Sequence, residues 1–536
     1  MNAERLLEQY EKIADAPDVI ARLRRFILEL AVRGKLAPQD PKDEPASVLL
    51  EKVASEKERL EGGRARRRLE PIETSPKDIV LFSLPKTWLW LPATYPALAI
   101  SEGDRKVQTK DVLPSGLYPV IDQGKVLIRG YCNDEQKVTR VSSPIILFGD
   151  HTRETKLIDF DFVVGADGVK LLQPVGISAS YYFLALNWLP LESRGYGRHF
   201  KLLKASRIPL PPLAEQHRIV DKVDELMVLC DQLEAAREAR EATRDQLAAA
   251  SLARLNTPDP ESFADDARFA LDTLPALTAR PDQIKQLRQT ILNLAVRGKL
   301  VPQDPKDEPA EEFDKALPSI LTQPFSIPSS WKWSRLSCVG KLRGGGTPSK
   351  SKSEFWDGKI PWVSPKDMKV DYISDAQMAI TEKAVQESSV NLIDQGSLLF
   401  VVRGMILAHS FPVAVTQEVV TVNQDMKALI PKEKEMAEYF LRALKGLKPQ
   451  MLARVQRSSH GTCRLEGSDY ADFLIPIPPL SEQHRIVAKV DELLAICDQL
   501  EARLATAGVT RGNLLDALFA EALTPANNDQ RREAAE

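Results

Sequence analysis

Two stretches of the chain place apolar residues in the same 4-3-4-3 rhythm. The first holds Ile219, Val223, Leu226, Cys230 and Leu233; the second holds Ile486, Val490, Leu493, Cys497, Leu500 and Leu504. This is the a/d stripe of a helix lying along a coiled-coil seam. A Pro-Pro pair (Pro211–Pro212, Pro478–Pro479) precedes each helix and stops the preceding strand from running on. The first is predicted from Leu213 to about Ser251, about 60 Å at roughly 1.5 Å per residue. Arg237 interrupts its stripe where Leu504 continues the second. A shorter stripe, Leu23, Ile27 and Leu30, recurs as Leu287, Ile291 and Leu294, with Gly34 and Gly298 at the C-cap position. The PQDPKDEPA that follows each is too proline-rich to be helical throughout.

These recurrences belong to an internal duplication. Leu30–Ala46 and Leu294–Ala310 differ only at Ala37/Val301, and Pro209–Glu234 and Pro476–Glu501 differ at six positions. The offsets, 264 and 267, agree within three residues. The inserts between the repeated blocks, 54–208 and 318–475, share little beyond a P-x-x-W-x-W opening (Pro85, Trp88, Trp90; Pro328, Trp331, Trp333). Their short apolar runs bounded by Gly, Asp and Pro, such as SPIILFGD and GSLLFVVRG, read as strands, with helices near Ser178–Trp188 and Lys434–Gly446. A break at Asn256–Pro260 makes the centre an antiparallel helical hairpin, and the two chain ends are the same elements cut apart. Glu61–Arg68 (EGGRARRR) reads as a basic linker. The expected fold is α+β: two sheet-rich domains of mixed structure joined by two long antiparallel coiled-coil hairpins with a pseudo-twofold repeat. A preserved frame holding unlike inserts suggests one scaffold presenting two readers.

Composition adds modestly to this. Of 536 residues, 43% are hydrophobic and 27% charged, as in an ordinary soluble protein. No signal peptide opens the chain, no apolar run is long enough to span a membrane, and the five cysteines are scattered, so a reducing cytoplasm is expected. The net charge of −3 is unevenly spread. Residues 78–210 carry 16 Lys+Arg against 13 Asp+Glu, and 328–479 carry 20 against 16, leaving −10 for the rest. Mildly basic inserts on an acidic frame point toward phosphate-bearing partners. Catalytic signatures do not emerge. G-x-x-x-x-G-K-[ST], H-E-x-x-H, the [ND]-P-P-[FY] tetrapeptide of adenine methyltransferases and a D…E-x-K array are all missing, and no metal-ligand spacing stands out.

The repeated LAVRGKL-x-PQD and IP-x-PPL-x-EQHRIV-type blocks, with G-x-YPVIDQG (Gly116–Gly124) and GGGTPSKSKSEFWDGKIPWVSPKDM (Gly344–Met368), resemble the specificity subunit of type I restriction–modification systems. The resemblance covers nearly the whole chain. It implies a non-catalytic subunit that reads a bipartite target in double-stranded DNA. It also implies assembly with two methyltransferase subunits and two ATP-dependent restriction/translocase subunits. S-adenosylmethionine, ATP and Mg would sit on those partners and none on this chain. The implied domains are 1–53 (N-terminal helical), 78–208 (first target-recognition domain), 209–317 (central hairpin), 318–475 (second target-recognition domain) and 476–536 (C-terminal helix). The alternative is a coiled-coil protein-docking scaffold without DNA readout.

Bases are read mostly by Arg on guanine and Asn or Gln on adenine, while Lys, Ser and Thr hold phosphates. On that chemistry the DNA-binding candidates of the first insert are Gln123, Arg129, Tyr131, His151, Arg153, Lys170, Arg194, Tyr196, Arg198 and His199. Those of the second are Arg343, Thr347, Ser349, Lys350, Lys352, Arg403, Asn423, Gln424, Arg454, Arg457, Ser459 and His460. His217, Arg218, His484 and Arg485, at equivalent helix starts, are candidates for docking two copies of one partner.

Overall fold

A computed structural model describes residues 12–61, 82–101, 103–165, 168–193, 195, 197–257, 259, 261–317, 323–457 and 461–524. Beyond Glu61, the expected basic linker lies outside them. The frame and its inserts include the helices α1 Val19–Val32, α2 Ala46–Glu61, α3 Ala179–Trp188, α4 Leu213–Asn256, α5 Pro281–Val296, α6 Ala437–Gly446 and α7 Leu480–Leu523, with shorter ones between them. α4 ends where the break was expected and runs five residues past Ser251. The chain forms two compact units, Met1–Ala239 with Gly508–Glu536, and Arg240–Ala507. Each therefore contains the N-terminal part of one 44-residue helix and the C-terminal part of the other. Among the described residues no helix is long and apolar enough to cross a membrane.

In the first unit the seam residues Ile219, Val223 and Cys230 of α4 are buried with Leu23 and Ile27 of α1 and with Tyr181, Tyr182 and Leu186 of α3. α1 also holds the last turns of α7. Phe26 stacks on Phe519 at 4.1 Å, Arg22 pairs with Asp516, and Lys35 donates to the carbonyls of Leu523 and Thr524 at 2.8 and 2.9 Å. Those end carbonyls have no partner within the helix, and the ammonium supplies one.

The first insert is closed at its neck by β1 (Leu89–Pro92) paired antiparallel with β10 (Arg207–Leu210). Inside it, β2 (Ala97–Ile100), β6 (Ile145–Gly149), β7 (Thr155–Ile158) and β9 (Val169–Pro174) form an antiparallel sheet in the order β2-β9-β6-β7. β3 (Tyr118–Ile121), β4 (Gly130–Cys132), β5 (Val138–Thr139) and β8 (Phe162–Val164) form a second, ordered β4-β3-β8-β5, with β3 and β8 parallel. β6 reads as an unbroken apolar run because both of its faces are covered. Ile146 and Phe148 join the core beneath α3, whereas Ile145 and Leu147 meet Phe162 and Val164 of the second sheet.

The second unit repeats this plan with other residues. β11 (Lys332–Arg335) and β22 (Leu474–Ile477) make the neck. β12 (Gly340–Gly344), β14 (Tyr372–Ile373), β16 (Leu398–Val401), β17 (Val413–Thr416) and β19 (Met426–Pro431) form the sheet β12-β19-β16-β17-β14. β13 (Trp356–Val363) pairs with β15 (Ala379–Ile380) and runs parallel to β18 (Thr421–Val422). A hairpin of β20 (Gln456–Arg457) and β21 (Cys463–Arg464) is added. The helix after the sheet is anchored alike in both inserts: the Tyr181 hydroxyl donates to the Pro209 carbonyl at 2.9 Å, and Tyr439 to Pro476 at 2.8 Å. Cys230 and Cys497 lie buried on their seams, and burial pushes both thiols up.

One buried cluster joins three separated segments in each unit. Glu215, in the first turn of α4, accepts the Trp88 indole N–H at 2.8 Å and the Gln39 amide. Glu482 of α7 accepts the Trp331 indole N–H at 2.9 Å and the Gln303 amide at 2.5 Å. The connector, the insert's opening and the long helix thus meet on one carboxylate. Beside it Arg218 pairs with Asp43, and Arg485 with Asp307. Burial pushes both glutamates up, against the indole and amide bonds that favour ionisation.

Glu482→Ala should strand one buried donor, the Trp331 indole N–H, at a cost of about 1–3 kcal/mol, while the exposed Gln303 amide can turn to water. The expected outcome is a thermal unfolding midpoint lower by several degrees, followed by tryptophan fluorescence. A carboxyl whose folded pKa is raised contributes stability on the acid side and loses it as pH rises through the raised value. The wild-type advantage over Glu482→Ala should therefore be larger near the ordinary carboxylate range than at neutral pH; a gap that widens as pH rises would contradict this.

Candidate nucleic-acid interface

In the first unit the loop after β3 and the turn after β6 come together. Gln123 Oε1 accepts the His151 main-chain N–H at 3.1 Å, and the Thr152 hydroxyl donates to the Gln123 carbonyl at 2.6 Å. Gly168, at φ +85, closes the third side, where a Cβ would stand 2.7 Å from the His151 ring, so no other side chain fits there without displacement. Lys156 on β7 points inward and donates to the carbonyls of Asp122 and Val126 at 2.8 and 2.5 Å. Burial holds its ammonium below the ordinary lysine range, with Asp122 and Glu154 opposing the shift. Asp122 also accepts the Gly124 N–H at 2.8 Å and faces Arg129 at 3.9 Å. Arg129 and Arg153 are exposed, and Arg153 donates to the Leu191 carbonyl at 2.6 Å.

In the second unit four segments converge. Gly345 approaches the Asn423 carbonyl so closely that a Cβ would lie 2.0 Å from it, which brings the glycine-rich opening against the β18–β19 turn. There the Thr347 hydroxyl meets the Gln424 side chain. Trp362 donates its indole N–H to the Gly346 carbonyl at 2.9 Å, fixing the opening from below. Val402 N–H bonds to the Asp425 carbonyl at 2.9 Å, and Gly404 N–H to the Cys463 carbonyl at 3.0 Å, so the turn after β16 bridges the β18–β19 turn and the β20–β21 hairpin. Arg403 is exposed on that turn, 3.9 Å from Asp425, and Arg457 is exposed on the hairpin. Ser349 and Lys350, in the segment that follows the glycine-rich opening, are exposed.

The remaining candidate residues differ in their surroundings. His199 is fully buried and its main-chain N–H and ring both face the Asp150 carbonyl, so it braces the β6–β7 turn from inside. Asn423 is buried and caps its own turn by accepting the Asp425 N–H. Arg454 lies on the Phe473 ring and donates to the Asp469 carbonyl. Arg218 and Arg485 are committed to Asp43 and Asp307, whereas His217 and His484 are exposed. Lys352 pairs with Glu387 at 3.6 Å, Lys170 sits over the Phe200 ring, Tyr131 is half-buried on β4, Arg343 is half-buried on β12, and Arg198 is exposed. Arg194, Tyr196, Ser459 and His460 lie outside the described residues. The sequence reading overlooked Lys156 and the exposed tip Lys125-Val126-Leu127; two adjacent branched apolar residues inside a glycine-bounded loop were the available signal.

The model of the type I restriction modification DNA specificity domain matches residues 98–241 and 328–507. The EcoAI type I restriction enzyme specificity subunit of Escherichia coli is 27% identical over 567 residues, covering 93% of each chain. The EcoR124I/EcoR124II specificity subunit of Escherichia coli is 28% identical over 402 residues, covering 72% of this chain and 81% of its own. Among solved structures, the HsdS subunit from Thermoanaerobacter tengcongensis aligns over 82% of this chain and 98% of its own, at 19% identity and a TM-score of 0.40. Matched by that model over more than half of its length, once in each insert, this chain belongs to the type I restriction–modification DNA specificity family.

Proposed function

We propose that the chain is the DNA-specificity subunit of a type I restriction–modification complex and that it reads a bipartite duplex target, one half with the insert at 78–208 and the other with that at 318–475. Its catalytic partners would be two methyltransferase subunits, which bind S-adenosylmethionine, and two ATP- and Mg-dependent restriction/translocase subunits. The observation that carries this reading is a common strand plan whose loops differ completely between the inserts. Loops on a rigid sheet can diverge in sequence without disturbing the frame, as two readers of different half-sites require. Exposed Arg129, Arg403, Arg457 and Gln424 have the chemistry for base edges, and Lys350, Ser349 and Lys125 that for phosphates. His217 and His484 mark two equivalent surfaces suited to two copies of a methyltransferase subunit. The long helices act as coiled-coil arms that fix the gap between half-sites, and the cytoplasm is the compartment.

Methylome sequencing of cells carrying this chain with its partners tests the reading: one bipartite adenine-methylated motif is expected, and none would overturn it. Replacing 78–208 by a relative's insert should change one half of that motif and leave the other intact.

Arg403→Ala or Arg457→Ala should cost about 1–3 kcal/mol of discrimination where the guanidinium pairs bidentately with guanine. Lys350→Ala should instead weaken binding alike on all sequences and reduce the salt slope by about one, measured by anisotropy titration over a salt series. The purified chain by itself should show neither methyl transfer nor ATP hydrolysis until its partners are added.

A further inference from the structure

The loop between β3 and β4 carries two bare aliphatic side chains at its tip, Val126 at 68% and Leu127 at 44% exposure. Exposed apolar residues on a mobile loop would call for little comment, but this loop is tied down. The Lys156 ammonium, nearly enclosed at 5% side-chain exposure, lies beneath it. It donates to the carbonyls of Asp122 and Val126, and its nitrogen stands 4.0 Å from Asp122 Oδ1. Asp122 in turn accepts the Gly124 N–H. Burying a lysine costs desolvation that these acceptors must offset. The outcome is a tip whose main chain is fixed from below while its apolar side chains face solvent.

The tip's neighbours indicate what it meets. Lys125 precedes it and Arg129 follows it, both exposed, and Gln123 with its partners His151 and Thr152 stands at its base. Flanking cations suit a polyanion, and polar side chains beside the tip suit base edges. On the edges of stacked bases the apolar group that discriminates is the C5 methyl of thymine in the major groove. We infer that Val126 and Leu127 enter the major groove of the first insert's half-site and pack on a thymine methyl, making them specificity determinants that act by apolar contact. This rests on the DNA-reading function proposed above. Insertion between base pairs would require unstacking, at a cost of a few kcal/mol.

Selection from random sequence tests this without a defined target. The chain, assembled with its methyltransferase partners, selects duplexes from two randomised pools, one made with thymidine and one with deoxyuridine, which lacks only the methyl. In the thymidine pool the wild-type complex should enrich a bipartite motif. One half should contain an A·T position whose preference falls about four-fold in the deoxyuridine pool, the worth of one buried methyl group. The Val126→Ser, Leu127→Ser double variant should lose that preference, respond equally to both pools, and keep the other half of the motif, which also reports that it is folded. Were both halves lost, the Leu127→Ala variant decides by the same comparison. Unchanged preference in the variant overturns the inference. So does a preference lost in the variant that deoxyuridine does not weaken in the wild type, which would place the tip between base pairs. If the wild-type complex enriches no sequence, DNA reading itself fails and the inference falls with it.

Discussion

A buried carboxylate in the first turn of each long helix is the constraint on which the rest of this structure depends. Glu215 and Glu482 each take hydrogen bonds from a tryptophan and a glutamine that belong to different segments. The glutamine comes from the connector, the tryptophan from the opening of the insert, and the glutamate from the helix that follows the insert. An insert of any sequence must therefore leave and rejoin the frame at one fixed place. The ion pairs Arg218–Asp43 and Arg485–Asp307 repeat the linkage on the outer side. A low-dielectric site makes such a cluster demanding, because every donor left unmatched costs nearly its full desolvation. This gives a physical reason for near-identical repeated blocks between inserts that share so little.

Given a fixed neck, the two inserts need agree only in what closes them. Both set a parallel strand pair beside a larger sheet, antiparallel in the first insert and closed by the parallel pair β14–β17 in the second, and both anchor the following helix by a tyrosine hydroxyl on the neck's proline carbonyl. Elsewhere they solve the same problem differently. Beside the first neck, Leu49, Leu91 and Leu210 form an apolar cluster. Beside the second, Asp314 lies buried under Arg335, which forks onto both carboxylate oxygens and holds the acid down to about 2. The loops at the strand ends are likewise braced by unlike means: a buried lysine and an enclosed histidine in one insert, tryptophan indoles and a glycine-to-carbonyl approach in the other. Bracing of this kind fixes the loop main chain in advance, so a ligand met there would cost less ordering entropy on binding.

The sequence by itself determined the frame. A 4-3-4-3 stripe after a Pro-Pro pair admits little but a helix, and the duplicated blocks show that the same helix start occurs twice. Gly34 and Gly298 were correctly read as helix ends, and both adopt φ +66 against a proline that leaves no room for a Cβ. Arg and Gln between strand signals were conspicuous too, and the structure exposes Arg129, Arg403, Arg457 and Gln424 on loops or strand ends. What tertiary structure decided was which side chains within those loops are available. His199, Asn423 and Arg454 look like contacts in sequence, but each is drawn inward by a partner far along the chain or by its own turn. Lys156 carries no mark of its role, because alternation on a short strand does not reveal that its inward position opens under a neighbouring loop. The equivalence of the two strand plans was invisible for the same reason: strand pairing is non-local, and short apolar runs specify that a strand exists without specifying its neighbour.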